Sequence, residues 1–462
     1  MPDRFKAKWY IITVSKRRIC HSFFVACPLV NYHLHMPLNI PDSSYKRIII
    51  VGGGFAGLAI ARRLANTAYQ VVLLDRNNYH QFQPLFYQVA MSGLEPSSIV
   101  FPFRKMFQKA PNVFIRIAEV LEVNAEQQCV QTDKGEIPYD YLILAMGADT
   151  NYFGNPEIAQ NVIPMKSVSE ALFLRNAILS DYEKALLSAS EEEKQHLMDI
   201  VVVGGGPTGV EVAGALAEMR RDIMPKEYKE LNWRQIDIYL IQGDGVLLNT
   251  MSKQAGVAAE RFLTEMGVIV RKNTRVVGYD GEVVTMKDGS TIAAKKVIWA
   301  AGIVANGIKG LPTTSIGGGR RIKVNAFHEV EGVSHVFAIG DMSLMANESR
   351  PMGDPQVAQV AIQQGENLSR NLLGMLKGSP ARAFAYRDRG SMATIGTNKA
   401  VVDLPFWRFQ GIFAWFVWLL VHLFALIGVK NKLLVFMNWV GSYLTRDQAL
   451  RLIIRPFIRA RK

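Results

Sequence analysis

Two short glycine-rich sequences carry the residue types and the spacing that bind dinucleotide phosphates. Each is a G-x-G-x-x-G sequence between a β-branched strand and a helical stretch, at Gly52, Gly54 and Gly57 and again at Gly204, Gly206 and Gly209. The first glycine permits the tight turn, the second lets a pyrophosphate approach the backbone, and the third lets helix and strand pack closely. The helix N-terminus then offers free N–H groups and the positive end of its dipole. One such sequence is weak evidence, but two predict two bound dinucleotides and therefore electron transfer.

A carboxylate closes the strand that follows the first glycine turn. The pattern predicts a β-α-β unit from Lys46, with a helix to about Ala68 and a strand over 71–75. Asp75 then stands where the ribose-binding acid of such a unit belongs. Its alternative is a plain strand-end residue with no ligand.

The order of the remaining apolar segments indicates one domain inserted into another. Strands that run into small residues at Gly147 and Gly302 mark two crossings between domains, and a third apolar strand ends in Gly340-Asp341. We predict an α/β fold with two Rossmann-like dinucleotide-binding domains and a C-terminal membrane-anchoring segment. A helix is expected to start with Pro355 in its first turn, and a hairpin is expected over 384–403.

The expected boundaries divide the chain into four parts. They are an N-terminal extension at 1–45, a first dinucleotide-binding domain at 46–165 and 303–385, an inserted domain at 166–302, and a hairpin with a membrane-association region at 386–462. The extension is basic and poor in acids, so it is either a targeting peptide or the product of an upstream start codon. We expect no fold from it.

Charge and cysteine content restrict the function further. The net charge is +13, and the basic residues concentrate at the two ends of the chain without the aromatic interleaving of nucleic-acid modules. This favours an anionic membrane surface over nucleic acid. The cysteines, Cys20, Cys27 and Cys129, form no C-x-x-C or C-x4-C pair, so a dithiol relay and a disulfide framework are not expected. No metal-ligand spacing is present in the sequence.

The C-terminal stretch combines an apolar run with a basic end. Residues 411–429 hold no formally charged side chain, and Arg451, Arg455 and Arg459 recur every four residues beside apolar neighbours. That recurrence predicts an interfacial helix lying on anionic lipid. Three alternatives stand for 405–462: a monotopic anchor, one membrane span at the lower length limit, and a buried core or dimer helix.

From Lys46 onward the chain resembles the type II NADH dehydrogenases, which are single-subunit NADH:quinone oxidoreductases that pump no protons. The similarity rests on sequences beyond the glycine turns: 80–88, 145–154, the Ala-Ile-Gly-Asp sequence at 338–341, the A-Q-x-A-x-Q sequence at 358–363, and the Trp/Leu/Arg-rich tail. The resemblance implies FAD in the first unit, NADH in the second, a ubiquinone or menaquinone site at the membrane face, and a homodimer. Quinone reduction would feed a respiratory chain.

The resemblance also assigns cofactor-binding residues. The FAD site would comprise Gly52, Gly54, Gly57, Asp75, Gly147 and Asp341, with Asp341 bonded to the ribityl chain. The NADH site would comprise Gly204, Gly206, Gly209, Gln242 and Gly302. The family usually has Glu where this chain has Gln242, so NADPH tolerance is an open question, although Asp244 nearby could still reject a 2′-phosphate.

Three residues are candidates for catalysis. In the family, a Glu at the position of Glu211 lies by the nicotinamide and the flavin, and the alternative here is a carboxylate stabilised by the helix dipole. Gln359 and Gln363 share one helix face and border the quinone pocket in the family. Their alternative is a pair of amides on a solvated helix.

Other functions with the same fold remain as alternatives. Sulfide:quinone reductases need catalytic cysteines, whereas this chain keeps only Cys129 outside the extension. Soluble ferredoxin reductases would not need the apolar basic tail that this chain has. A flavoprotein similar to apoptosis-inducing factor, acting as an NADH-binding switch, would lack fast quinone turnover. We expect the cytoplasmic face of a bacterial inner membrane, with the mitochondrial inner membrane as the alternative. The sequence leaves open which quinone is used and whether 411–429 spans the membrane.

Overall fold

The computed structural model describes residues 38–447 and 450–454. Its strands are β1 (Arg47–Val51), β2 (Gln70–Asp75), β3 (Tyr79–Gln81), β4 (Val100–Pro102), β5 (Val113–Ile117), β6 (Val120–Asn124), β7 (Cys129–Thr132), β8 (Gly135–Pro138), β9 (Tyr141–Leu144), β10 (Ala148–Thr150), β11 (Ile163–Pro164), β12 (Ile200–Val203), β13 (Ile238–Ile241), β14 (Ile269–Arg271), β15 (Val276–Tyr279), β16 (Val283–Met286), β17 (Thr291–Ala293), β18 (Lys296–Trp299), β19 (Ile303–Ala305), β20 (Ile322–Lys323), β21 (Val336–Ala338), β22 (Ser343–Leu344), β23 (Ser391–Gly396), β24 (Lys399–Asp403) and β25 (Arg408–Gln410).

The α-helices are α1 (Phe55–Leu64), α2 (Phe86–Ala90), α3 (Phe103–Met106), α4 (Pro156–Asn161), α5 (Val168–Leu187), α6 (Glu191–Met198), α7 (Pro207–Glu218), α8 (Met224–Glu227), α9 (Lys253–Glu265), α10 (Ala358–Met375), α11 (Ile412–Ala425) and α12 (Val429–Thr445). A π-helical turn, Met219–Ile223, joins α7 to α8.

Two five-stranded parallel sheets form the centre of the molecule. The first has the strand order β21-β9-β1-β2-β5, and the second has the order β11-β18-β12-β13-β14. Their central strands, such as Ile200–Val203, are buried along their whole length. Continuous β-branched runs of this kind are what a parallel sheet covered on both faces requires. The predicted α/β class with two Rossmann-like units is confirmed.

A short antiparallel pair joins the two units. β10 pairs with β19, so the chain leaves the first unit and returns to it side by side. β11, at Ile163–Pro164, already belongs to the second sheet, just ahead of the expected boundary at 166. That boundary is therefore corrected toward the N-terminus, because the edge strand of the inserted unit precedes its first long helix. The other predicted boundaries stay predictions.

The C-terminal region packs a three-stranded antiparallel sheet against α7. β23, β24 and β25 pair in that order, with residues 397 and 398 forming the hairpin turn. The hairpin expected over 384–403 begins at Ser391, since 384–390 hold no strand. A Cβ at Gly214 would collide with the carbonyl of Ile395, so α7 lies directly on the backbone of β23. Ala414 of α11 packs on Val402 of β24. The apolar helices are thereby fixed to the second dinucleotide-binding unit.

Several local predictions need correction. α1 ends at Leu64 rather than near Ala68, because Ala65 is extended and Asn66 takes a positive φ. α10 begins at Ala358, so Pro355 precedes the helix instead of occupying its first turn.

The predicted C-terminal interfacial helix is not found where the chain is described. Residues 450–454 are not helical, and Arg451 bonds Glu227 and Asp447 rather than standing free on a helix face. Arg455 and Arg459 lie outside the described residues. Neither α11, α12 nor any other described helix combines the length and the apolar character of a membrane crossing.

Residues 1–37 of the predicted extension lie outside the described part of the chain. Residues 38–45 contain no helix or strand. Their backbone nevertheless contacts the first sheet, because the carbonyl of Pro41 accepts a bond from Gln70 and the carbonyl of Leu38 accepts one from Arg116.

Candidate functional site

A cavity of about 760 Å³ opens at the carboxyl ends of both parallel sheets. We name it the turn cavity because both glycine turns line it. Three helices begin at its wall, α1 after Gly54, α7 after Gly206 and α10 after Val357, and none of these N-cap residues caps its helix with a side chain. Their first N–H groups and dipole ends therefore face one space, which favours negatively charged or electron-rich ligands.

The six predicted glycines divide into two matching sets of three. Gly52 and Gly204 have positive φ and no room for a Cβ, which would strike the carbonyls of Ala145 and Ala300. Gly57 and Gly209 stand against the carbonyls of those first glycines. Gly54 and Gly206 have open space on the cavity side, where a ligand can approach the backbone. The geometry follows the division of roles expected from the motif.

Each turn is held by one side chain from the end of the neighbouring strand. Asp75 accepts a hydrogen bond from the Gly53 N–H at 2.7 Å, and Gln242 accepts one from the Gly205 N–H at 2.8 Å. Burial raises the pKa of Asp75, opposed by the two backbone N–H groups that bond it. Asp75 lines the turn cavity, whereas Gln242 is buried behind the second turn.

The Gly340-Asp341 turn also lies at the turn cavity. Burial raises the pKa of Asp341, while Lys166 and Arg321 oppose that rise. The turn is fixed by Gln364, whose side-chain oxygen accepts bonds from the Gly340 N–H at 2.7 Å and the Ser343 hydroxyl at 3.1 Å. The sequence motifs assign no role to Gln364. The signal available was its place in the buried stripe of α10 with Val360 and Leu368.

A second cavity, of about 650 Å³, lies between α7, the β23–β24 hairpin and the two apolar helices. We name it the tryptophan cavity, after its three lining tryptophans Trp415, Trp418 and Trp439. Trp418 stacks on His422, and its indole N–H has no hydrogen-bond partner in the described structure. Glu211 and Tyr87 line both cavities, so these two side chains stand in the wall between them.

Glu211 is a carboxyl group in a poorly solvated place. Burial raises its pKa to about 8, and the backbone of Thr394 opposes the rise through a hydrogen bond. At neutral pH the group therefore holds a proton and can donate it. Tyr87 beside it has a pKa raised well above the ordinary value, mainly by burial. The Tyr87 side chain, the other member of the wall, therefore also stays uncharged.

Gln359 and Gln363 are engaged by the backbone rather than open to a ligand. Gln359 bonds the Gly390 carbonyl at 3.0 Å and the Arg389 N–H at 3.1 Å. Gln363 bonds the carbonyl and the N–H of Arg387, at 2.9 and 3.1 Å. Neither is among the described residues that line the two cavities. The expectation that their amides point into a quinone pocket is corrected: the pair fixes the extended segment 387–390 along α10.

The two remaining predicted glycines and two residues of the C-terminal region also line the turn cavity. Gly147 and Gly302 line the turn cavity, and both have positive φ. His422 of α11 and Met392 of β23 line the far end of the same cavity. Burial lowers the pKa of His422 to about 4, so the ring is neutral there. The turn cavity therefore reaches from the two glycine turns to the C-terminal apolar helices.

Comparisons with known proteins agree with this geometry. The model of the pyridine nucleotide-disulphide oxidoreductase family matches residues 46–365, and the model of the NDH2 C-terminal domain matches residues 389–447. The chain is 34% identical to the type II NADH:quinone oxidoreductase NdhA of Mycobacterium tuberculosis, over 90% of this chain and 91% of that one. It is 27% identical to a mitochondrial internal alternative NAD(P)H-ubiquinone oxidoreductase of Arabidopsis thaliana, over 87% and 85%.

A solved structure has the same fold. The NDH2 structure from Plasmodium falciparum in complex with NADH superposes with a TM-score of 0.82 at 22% identity, covering 89% of this chain and 100% of that chain. A sulfide:quinone oxidoreductase from Aquifex aeolicus superposes with a TM-score of 0.66 at 17% identity. The catalytic cysteines expected of a sulfide:quinone reductase have no counterpart in Cys129. This residue lies buried on β7, and burial raises the pKa of its thiol, so it is not an activated cysteine.

Proposed function

We infer the function from the family: the chain belongs to the type II NADH:quinone oxidoreductases. It is an enzyme that takes electrons from NADH through a flavin and delivers them to a quinone without pumping protons. Its cofactors are FAD and NADH.

One structural observation carries this assignment. Both glycine turns and His422 of the apolar helix α11 line the same turn cavity. Two dinucleotides and an apolar acceptor can therefore meet in one place, which an enzyme that hands electrons from a soluble donor to a lipid-soluble acceptor requires. A flavoprotein that acts only as a switch would not need a place for the apolar acceptor.

The first turn fits the ADP half of FAD. Gly54 leaves room at the backbone, the uncapped α1 N-terminus faces the phosphates, and Asp75 stands at the ribose position. Asp341 would bind the ribityl chain, with Gly147 and the α10 N-terminus beside it. When bound, FAD accepts a hydride from NADH and returns two electrons to a quinone. The residues that line the turn cavity would orient the two cofactors and exclude water.

The second turn fits NADH through Gly204, Gly206 and Gly209, with Gly302 across the cavity. Gln242 holds the turn amide and also contacts Asp244, to which Asn249 donates a bond at 3.0 Å. A neutral Gln242 does not repel a 2′-phosphate, whereas the Asp244 carboxylate does. We propose that NADH is preferred and that NADPH is a slower substrate.

The quinone would approach through the far end of the turn cavity, between α11 and β23. His422 and Met392 line this end, and Tyr87 and Glu211 form its wall. Glu211 would hold and donate a proton here. Gln359 and Gln363 would act as positioning residues, since they fix the segment that leads into β23.

A lipid bilayer is the surface that we propose for the apolar helices. Exposed side chains on α11 and α12 are mostly large and apolar: Ile412, Phe413, Phe416, Leu420, Val421, Phe424, Leu433, Leu434, Phe436 and Met437. Lys430 and Lys432 lie among them, where they can meet anionic headgroups. We propose a monotopic protein on the cytoplasmic face of a bacterial inner membrane, with the mitochondrial inner membrane as the alternative.

A homodimer is proposed from the family alone, and light scattering of the FAD-loaded protein in mild detergent tests it.

The activity itself is tested by steady-state oxidation of NADH and NADPH, with and without a soluble ubiquinone or menaquinone analogue. Quinone-stimulated oxidation with a higher rate for NADH supports the assignment. Oxidation that neither quinone stimulates would contradict it.

A further inference from the structure

Quinone reduction in this protein needs a proton from solution at a buried place. A quinone takes up two electrons and two protons to form a quinol, whereas NADH delivers two electrons with one proton as a hydride. The second proton must come from water. Glu211 in the wall of the turn cavity can donate it, but a donor that turns over must also be reprotonated, and the structure holds a second acid in a suitable place for this.

Glu218 lies two helical turns beyond Glu211 on the same face of α7. Both carboxylates line the tryptophan cavity. At 1.5 Å rise per residue the seven-residue separation corresponds to about 10 Å, which is too far for a direct hydrogen bond but short enough for a few waters. The cavity of about 650 Å³ has room for them, at roughly 30 Å³ each.

The local geometry of Glu218 favours a group that exchanges protons. Its carboxylate accepts hydrogen bonds from Thr397 at the tip of the β23–β24 hairpin, from the N–H at 2.5 Å and from the side chain. Burial raises its pKa, while Thr397 and Arg221 oppose the rise. Beyond it the cavity wall becomes charged, with Arg221 and Asp222 on the π-helical turn and Arg446 and Asp447 after α12. The cavity therefore leads from a charged mouth to a neutral interior.

We propose that Glu218 is the outer group of a proton relay that runs through the tryptophan cavity from solvent to Glu211. The proposal rests on the proposed quinone reductase activity. A proton moves from water at the Arg221–Asp222 mouth to Glu218, then through cavity water to Glu211, and from there to the reduced quinone oxygen. After each transfer the donor carboxylate is reprotonated from the solvent side. The relay therefore uses only protons from water and needs no electrons and no further reactant.

The titratable groups that face Glu218 from neighbouring elements set its environment. They are Glu211, Arg221 and Asp222 on its own helix and the following turn, Tyr87 on α2, and Arg446 and Asp447 after α12. Lys399, on the next strand of the hairpin, is paired with Glu265 at 2.7 Å. The cavity wall therefore brings Arg221 and Arg446 near the outer end of the relay, and Arg221 is itself bonded to Asp222 at 2.6 Å.

The test measures the two half-reactions of the FAD-loaded protein by anaerobic rapid mixing. In Glu218→Gln, flavin reduction by NADH should stay within about twofold of wild type, whereas reoxidation by a soluble quinone should slow at least about tenfold. Glu218→Asp should recover part of the rate. Glu260→Gln, which changes a carboxylate on α9 paired with Lys272 outside the cavity, is the matched control.

A second readout separates proton transfer from structural support. Acetic acid added to Glu218→Ala should restore quinone-dependent reoxidation in a concentration-dependent way, and should leave wild type unchanged. If Glu218→Gln reoxidises at the wild-type rate, or if both half-reactions fall together without rescue, the relay is wrong. A wild-type flavin that quinone does not reoxidise would instead overturn the proposed function.

Discussion

At the scale of single residues, the two dinucleotide turns differ in the side chain that holds the turn amide. Asp75 and Gln242 hold equivalent turn amides, Gly53 and Gly205, at nearly the same distance. One is a carboxylate at the cavity and the other a neutral amide buried behind the turn. We therefore expect the two positions to respond differently to substitution, the first in cofactor retention and the second in cofactor choice.

Replacing Asp75 should weaken FAD binding. Asp75→Ala removes the acceptor of the Gly53 N–H and the carboxylate at the ribose position, which at about 1.5–3 kcal/mol corresponds to roughly tenfold to hundredfold weaker binding. FAD retention after gel filtration measures it. Glu126→Ala, an exposed acid in the same unit, is the control and should retain FAD. Full retention by Asp75→Ala would remove Asp75 from the FAD site.

Replacing Gln242 should change the choice of nucleotide. Gln242→Glu keeps an acceptor for the Gly205 N–H but places a second carboxylate beside Asp244, which repels a 2′-phosphate. We expect kcat/KM for NADPH to fall at least about tenfold, equivalent to about 1.4 kcal/mol, with NADH changed less than about threefold. Gln127→Glu on the surface is the control. Equal changes for both nucleotides would contradict this role.

Glu211 should make stability depend on pH in a defined direction. Its folded pKa of about 8 exceeds the ordinary 4.5, so the folded protein binds the proton more tightly and loses stability as pH rises between those values. Glu211→Gln lacks this loss. We expect equal Tm values below pH 4.5 and a variant more stable by about 5 °C or more above pH 8. A pH-independent difference would show that Glu211 is not buried as described.

Single residues were predictable from the sequence where the backbone dictated them. The six glycines occupy the positions that the motif requires. Each either has no room for a Cβ or borders the open space in which a ligand can approach the backbone. The bonding of Gln359 and Gln363 was not predictable, since their partners at 387–390 belong to a segment without regular structure. Gln364 could not be predicted because its bonds with the Gly340 N–H and the Ser343 hydroxyl depend on how α10 packs on the Gly340-Asp341 turn.

At the scale of elements, three uncapped helix N-termini and two apolar helices organise the site. α1, α7 and α10 begin at one cavity, and α7 continues past Glu218 into a π-helical turn at the mouth of the other. α11 and α12 present exposed aromatic and aliphatic side chains. Apolar runs predicted the central strands, but the start of the hairpin, the end of α1 and the start of α10 depend on local backbone conformation and capping that the pattern does not show.

Charges on the apolar helices should prevent membrane binding. Phe416→Glu with Leu420→Glu places two carboxylates on the exposed face of α11, and each would enter the lipid interface at high cost. Flotation with anionic vesicles should fall at least about tenfold while FAD content is kept. The matched control, Phe173→Glu with Val257→Glu, charges two exposed apolar residues elsewhere. Equal flotation of both double variants would argue against α11 as the anchor.

At the scale of the whole molecule, the two cavities share one wall. The turn cavity joins both dinucleotide units to the apolar helices, and the tryptophan cavity leads from that wall to solvent. The double glycine motif predicted the two units, because each unit is local in sequence. The shared wall could not be predicted, since it depends on how α7 packs against a hairpin nearly two hundred residues later in the chain.

The most direct test of the central claim is anaerobic rapid mixing of the FAD-loaded protein, first with NADH and then with a soluble ubiquinone or menaquinone analogue. The account predicts that NADH bleaches the flavin absorbance and that quinone restores it, both fast enough to support steady-state turnover. A flavin that NADH reduces but neither quinone reoxidises would contradict the claim that electrons leave through the apolar end of the turn cavity.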